Sequence, residues 1–421
     1  MLKENSFLKE NQKSVIWQVF LEYKEKREKA LKKQNLDYEN FRQELFEIKK
    51  SAILNIEKLK KRAIDSFKEN GIEVFEAKDA KEAREIIEKL TQGKTKIVKS
   101  KSNTFNEIEE DGFLADKELI ETDLGDFICQ MMEEKEIHPV IPAMEFLPEE
   151  IAIKIKEKFQ VEVEPKAEKI AEFVRNFLRE KISKAEVGIS GANVLTSDGK
   201  ILILENEGNI SLVSRWPEIH IIVCGFEKIV ENLNDALKII KASAIWGAGQ
   251  EFPVYISIIS GPSKTADIQN KLVIGAQGAK KVFLVLLDNG RSKILKEGFD
   301  ELLYCINCGA CLNFCPVFNQ IGRNYGEKYL GSKGIIFAGV SENLKKAVDS
   351  NCFACTLCSS CYQNCPVKID LPELMKKLRS FMEKENLQTK ENQEMIEKIR
   401  KYGNPFGKIE KGKIPKKLYC C

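Results

Sequence analysis

The chain has 421 residues, and its 67 Lys and Arg nearly cancel its 64 Asp and Glu to leave +3, so no global field directs it to nucleic acid. That length suffices for about two or three domains with sizeable cores. No apolar run approaches the ~18–20 residues of a membrane span, and the polar first residues do not read as a signal peptide.

In chain order, residues 1–71 read as a helical region. Phe41, Leu45, Ile48, Ala52, Ile56, Leu59, Ala63 and Phe67 recur at spacings of three and four, which predicts one continuous apolar seam. Such a stripe reads as an arm packed on its own protein, with a subunit interface as the alternative. From residue 72 to 296 the texture changes. Residues 96–98, 119–121, 139–141, 219–223 and 282–287 predict strands, and 80–90, 166–182 and 232–246 predict helices. That alternation implies an α/β domain with a largely parallel sheet. Two apolar runs around Ser197-Asp198-Gly199-Lys200 predict a hairpin over 193–206.

Three polar loops of this region carry groups suited to small anions. They are Lys99-Ser100-Lys101-Ser102, Glu205-Asn206-Glu207-Gly208-Asn209 and the stretch from Ser260 to Asp267. Lys99, Lys101, Ser102, Asn206, Asn209, Ser263, Lys264 and Thr265 are the candidate substrate or anion ligands. The third loop reads as a helix start with free N–H groups. Ordinary turn chemistry is the bland alternative for each. Glu205 and Glu207 are the candidate acid/base groups, because only His138 and His220 supply imidazole and both read as structural. Cys129 and Cys224, isolated in apolar surroundings, read as small buried hydrophobes. The glycines at 247–249 and 275–278 fall short of a dinucleotide fingerprint.

Residues 297–385 hold nine of the thirteen cysteines, between Cys305 and Cys365. C-x2-C-x2-C-x3-C-P occurs twice, once ending at Cys315-Pro316 and once at Cys365-Pro366, which is the spacing that wraps iron–sulfur cubanes. Three thiolates of each run reach one cube, and the fourth, turned away by Cys-Pro, ligates the other. Cys305, Cys308, Cys311 and Cys365 therefore form one candidate [4Fe–4S] site, and Cys315, Cys355, Cys358 and Cys361 the second. Cys352 is surplus, or an alternative to Cys355. Structural zinc gives no reason for the repeated x3-C-P, and disulfides belong to small secreted domains. Clusters held by thiolates need a reducing compartment, so a cytoplasmic protein is expected. Residues 386–421 form a helical, basic tail, broken at Gly403-Asn404-Pro405-Phe406-Gly407 and ending in Cys420-Cys421.

Several short motifs taken together resemble the lactate-utilisation protein B family over about residues 10–385. They are Val98-Lys99-Ser100-Lys101-Ser102, Glu121-Thr122-Asp123-Leu124-Gly125, Gly191-Ala192-Asn193, Asn206-Glu207-Gly208-Asn209, Gly261-Pro262-Ser263-Lys264-Thr265-Ala266-Asp267-Ile268 and Cys365-Pro366-Val367-Lys368-Ile369-Asp370. The resemblance implies an α/β LUD domain, related in fold to the sugar-isomerase and CoA-transferase superfamily. It also implies an N-terminal helical arm and a C-terminal α-helical ferredoxin domain with two [4Fe–4S] clusters. The implied function is an electron-transferring subunit of a complex oxidising L-lactate, or a related 2-hydroxyacid, to the 2-oxoacid. Hydride chemistry itself needs a flavin or nicotinamide, for which this sequence carries no sign. Implied partners are a CCG-domain iron–sulfur protein, a second LUD protein, or a flavin-linked oxidase. Two features depart from the family pattern. Cys352 and Cys355 are both present, and Gly403 to Gly407 resembles the linker before CCG domains of heterodisulfide-reductase-like proteins. An electron-transfer subunit of that second kind is the alternative.

Overall fold

The computed structural model describes residues 7–409 apart from 9, 136 and 139, so Cys420, Cys421 and Pro139 lie outside the described residues. Its strands are β1 (Glu73–Ala77), β2 (Lys96–Lys99), β3 (Glu118–Glu121), β4 (Val187–Ser190), β5 (Val194–Thr196) and β6 (Ile201–Glu205). They continue as β7 (Ile219–Gly225), β8 (Ile229–Val230), β9 (Tyr255–Ile259), β10 (Lys264–Thr265), β11 (Val273–Ile274) and β12 (Lys281–Leu287). Six of them form a sheet in the order β1-β12-β7-β4-β2-β3, and each adjacent pair is parallel. The expectation of a largely parallel sheet is met.

The sheet is parallel because helices cover both its faces, and its central strands are accordingly apolar on both sides. Ile219, Ile221 and Val223 of β7, with Phe283, Val285 and Leu287 of β12, join one core. Their alternates Ile222, Cys224, Leu284 and Leu286 join another on the opposite face, as the period of two requires. The predicted hairpin is β5–β6, which pairs antiparallel with Leu195 opposite Ile201. It belongs to a second, four-stranded sheet in the order β8-β5-β6-β9.

The N-terminal seam is carried by two helices rather than one. After α1 (Glu10–Lys33), α2 (Tyr38–Leu54) ends at Asn55, and α3 (Ile56–Glu69) restarts there, while the buried stripe runs on through Leu45, Ala52, Ile56, Leu59 and Ala63. The arm packs on its own chain. Tyr23 donates a 2.6 Å hydrogen bond to the Trp246 carbonyl. Arg27 lies 5.3–5.6 Å from the ring centres of Tyr23, Tyr38 and Phe314 and donates to Asn364 Oδ1 at 3.0 Å.

Two expected elements are absent. Residues 140 and 141 form no strand; their N–H groups instead donate to His138 Nδ1 at 3.2 and 3.3 Å. The loop from Ser260 starts no helix but leads into the two-residue pairing of β10 with β11, Lys264 opposite Ile274. The C-terminal cysteine unit is built from short helical turns and the helices Gly331–Ser341 and Leu371–Lys384. It has no separate core. Leu302, Ile306, Leu312, Tyr325, Ile335, Leu378 and Met382 pack in one cluster with the arm and one face of the sheet. That shared packing fixes the cysteine loops against the α/β unit.

Candidate cluster site and adjoining cavity

The two cysteine runs adopt the same backbone. In each, the second residue after the leading cysteine has positive φ (Asn307 at 57°, Leu357 at 57°), and so does the fourth (Gly309 at 74°, Ser359 at 63°). A one-turn helix follows in both, Ala310–Asn313 and Ser360–Gln363. Left-handed Leu and Ser cost roughly 1–2 kcal/mol each, so their retention marks a loop shape set by what it wraps. Backbone N–H groups aim at sulfur: Asn307 to Cys305 Sγ and Ile369 to Cys365 Sγ at 3.4 Å, Phe318 to Cys315 Sγ at 3.5 Å. Such bonds favour the thiolate that a cluster requires.

Cys315, Cys355, Cys358 and Cys361 line one small cavity, although the first of them belongs to the other run. Cys365 likewise lies within electrostatic reach of Cys305, Cys308 and Cys311. Burial, and after it the neighbouring thiols, push Cys361 up to about 12, and burial raises Cys365 to about 12 as well. Thiols gathered in this way resist ionising until a cation arrives, which fits ligation by iron. Cys352 is placed differently. It is buried with its Sγ 3.8 Å from Met382 Sδ and is not among the residues lining the four-thiol cavity.

Cations hold the loops. Lys228 Nζ donates to the Cys305 carbonyl at 3.2 Å, Lys333 Nζ to Asn307 Oδ1 at 3.1 Å, and Arg42 Nε to the Cys365 carbonyl at 2.8 Å. Around the second set, Arg379 donates to the carbonyls of Cys352 and Cys355 at 2.7 and 2.8 Å. Positive charge here offsets the negative charge of thiolate-held clusters.

The cysteine unit is tied to the α/β unit at two buried points. Arg291 pairs bidentately with Glu107, at 2.6 and 2.9 Å, and also with Glu227, while Tyr329 of the cysteine unit donates to Glu107. His138 is neutral. Burial pulls it down to about 4, its Nδ1 accepts from Val140 and Ile141, and its Nε2 therefore donates to Asn313 Oδ1 at 3.0 Å. Both histidines are structural, since His220 is buried beside the Ser190 hydroxyl at 2.8 Å.

Between the units lies a cavity of about 270 Å³. Its walls come from the loops after β2 (Lys101 to Thr104), β3 (Asp123) and β4 (Gly191 to Asn193), from Glu205 to Asn209, and from Ile306 to Cys308 of the first cysteine run. The chain passes from β2 outward to β3, then returns to β4 and proceeds through β7 and β12 to the other side. The cavity thus sits at the carboxyl ends of the strands where the order reverses, the place where open α/β sheets bind ligands. Gly191 allows a close approach there, since an added Cβ would stand 2.6 Å from Ser102 Oγ and 3.1 Å from Ser102 Cβ.

Of the candidate anion ligands, Lys101, Ser102, Asn206 and Asn209 line this cavity, as do Glu205 and Glu207. Lys99 does not; it is buried in an ion pair with Glu121. Ser263 and Lys264 line a separate recess beside Arg215, and Thr265 donates to Asp267 at 2.7 Å, so the three loops do not form one face. Glu205 is engaged by Ser211 N–H at 2.8 Å, the Ser211 hydroxyl and Ser257 at 3.3 Å, which makes it an anchor for the loop. Glu207 is the freer carboxylate; burial and then Asp123 push it up to about 7 against a hydrogen bond from Leu124 N–H. Lys228, Ser243 and Gln250 also line the cavity and carried no signal in the sequence.

Residues 60–287 match the LUD domain family, and residues 301–369 match the 4Fe-4S dicluster domain. Lactate utilization protein B of Bacillus velezensis is 33% identical over 357 residues, 83% of this chain and 73% of that protein. The Bacillus subtilis protein of the same name is 33% identical over 360 residues, with the same coverage. An uncharacterized electron transport protein of Escherichia coli, YkgF, is 31% identical over 87% of this chain and 76% of its own. A solved DUF162 family protein from Deinococcus radiodurans aligns with 55% of this chain and 98% of its own at 11% identity and a TM-score of 0.32. With its LUD domain followed by a 4Fe-4S dicluster domain, the chain belongs to the lactate utilization protein B family.

Proposed function

We propose that the chain is the iron–sulfur electron-transfer subunit of a complex that oxidises L-lactate, or a related 2-hydroxyacid, to the 2-oxoacid. The observation that carries this reading is the crossing of the cysteine runs, with Cys315 brought to the cavity of Cys355, Cys358 and Cys361. Cys365 lies within electrostatic reach of Cys305, Cys308 and Cys311. Two [4Fe–4S] clusters held in this way supply one-electron transfer. The chain's own residues do the rest: backbone N–H groups and lysines stabilise the thiolates, and the shared core keeps the two sets adjacent. Support for that adjacency comes from Cys311, whose charge neighbours include Cys361 of the other set. Cys358 is the exposed member and opens the second set to an external carrier. A CCG-domain iron–sulfur protein, a second LUD protein or a flavin-linked oxidase would complete the reaction. Among the described residues no helix is long and apolar enough to cross a membrane.

The test is anaerobic reconstitution followed by iron and acid-labile sulfide analysis. About eight of each per chain are expected. Dithionite should bleach the clusters, whereas L-lactate alone should not. Stoichiometric zinc without sulfide, or turnover of L-lactate by the chain alone without added flavin, would overturn the proposal.

A further inference from the structure

The cavity at the reversal of the sheet has a wall that sheet-edge pockets ordinarily lack: Ile306, Asn307 and Cys308 of the first cysteine run. Gly247 of the helix Leu233–Ala248 lies against the Cys308 carbonyl, 3.6 Å from the position of an added Cβ, so the helix, the cluster loop and the cavity meet without an intervening layer. At about 270 Å³ the space falls just below the usual range for drug-sized ligands, which suits a small metabolite and not a nucleotide or a flavin. Its floor is apolar, from Ile203, Leu204, Ile210 and Ala244.

The polar lining selects further. Lys101 and Lys228 share the lining with Asp123, Glu205 and Glu207, and the Glu205 carboxylate is already met by hydrogen bonds. Two cations against three carboxylates leave no excess positive charge, which disfavours a di- or trianion and leaves Lys101 to meet a single negative charge. Lys101 Nζ is ion-paired with Asp126 at 3.6 Å but has no hydrogen-bond partner among the described residues, and Ser243 Oγ and Gln250 Oε1 also lack one. Buried polar groups left in this condition are the ones a ligand, or ordered water, completes. The set contains a cation, a hydroxyl and an acceptor.

We propose that this cavity binds a short-chain monocarboxylate bearing a second oxygen, as in a 2-hydroxy- or 2-oxoacid, and that its occupancy is coupled to the redox state of the cluster held by Cys305, Cys308, Cys311 and Cys365. The inference rests on the cluster assignment above and deepens it by locating the small-molecule site. Lys101 takes the carboxylate, the apolar floor takes the alkyl group, and Glu207 faces the second oxygen. An anion lodged against the cluster loop disfavours adding an electron there, so by linkage it binds the oxidised cluster more tightly.

The experiment uses anaerobically prepared, cluster-loaded chain with iron and sulfide measured on the same sample. L-lactate, pyruvate and inorganic phosphate are titrated calorimetrically, and the cluster midpoints are followed by EPR-monitored potentiometry with and without saturating L-lactate. L-lactate or pyruvate should bind in preference to phosphate. The midpoint of the first cluster should fall, by 59 mV for each tenfold preference for the oxidised state. Lys101→Met should weaken binding at least tenfold while the ligand-free EPR spectrum stays unchanged, and Ala248→Trp should block binding by filling the space. Preference for phosphate, or binding with no shift of either midpoint, would overturn the inference. A sample lacking iron and sulfide indicts the cluster assignment, whereas full clusters with no binding up to about 10 mM indict the cavity alone.

Discussion

Arg291 offers the sharpest test of how the two units are joined. Its side chain is 1% exposed, as is that of Glu107, and Glu227 is 7% exposed. Replacing it by Met keeps the bulk and leaves two buried carboxylates without their cation, a change that costs about 3–5 kcal/mol in comparable buried networks. The loss depends on pH in a definite sense. Burial alone would raise the Glu227 carboxyl, but Arg291 and then Lys228 overcome it and hold it at about 2. A depressed carboxylate contributes stability that is full above its ordinary value of 4.5 and is lost as pH falls toward 2. The gap between wild type and Arg291→Met, read from urea unfolding followed by circular dichroism, should therefore be widest above pH 5 and narrow in acid. Arg291→Lys should recover only part of it, because an ammonium cannot form the bidentate fork to Glu107. A loss below about 1 kcal/mol, or a gap indifferent to pH, would refute the reasoning.

Cys315→Ser should remove the EPR signal of the second cluster and Cys365→Ser that of the first, whereas Cys352→Ser should leave both, since its sulfur faces Met382. Glu207→Gln should stabilise the chain increasingly as pH rises. A carboxyl raised from 4.5 to about 7 penalises the fold as it ionises through that window; because the Glu207 side chain is exposed, solvent screening limits the penalty to about 1 kcal/mol, and thermal denaturation at pH 5 and pH 8 measures the difference. Ser359→Gly, which gives a residue at φ 63° the freedom that Gly309 has in the first run, should raise the stability of the cluster-free chain by about 1 kcal/mol in urea titrations.

The cysteine spacing alone pointed to the ligand candidates proposed above and to their crossing, because the intervals that would let a peptide wrap a cubane are local. The parallel sheet was legible for the same reason: β7 and β12 are unbroken apolar runs, and a strand buried on both faces must be. Local pattern failed where a tertiary partner took over the backbone. Val140 and Ile141 look like a strand, yet their N–H groups belong to His138, which the cysteine unit holds through Asn313. The Ser263 loop looks like a helix start but pairs as a strand, and it lies away from the two loops it was grouped with. Lys99 and Lys101 differ by two positions and are alike in sequence; the pleat and the turn after β2 direct one to Glu121 and the other to the cavity. Lys228, Gln250 and Asn307 meet in that cavity from three distant segments, and no spacing along the chain encodes such a meeting. It follows from the strand order and from one core shared by both units, which only the packed structure decides.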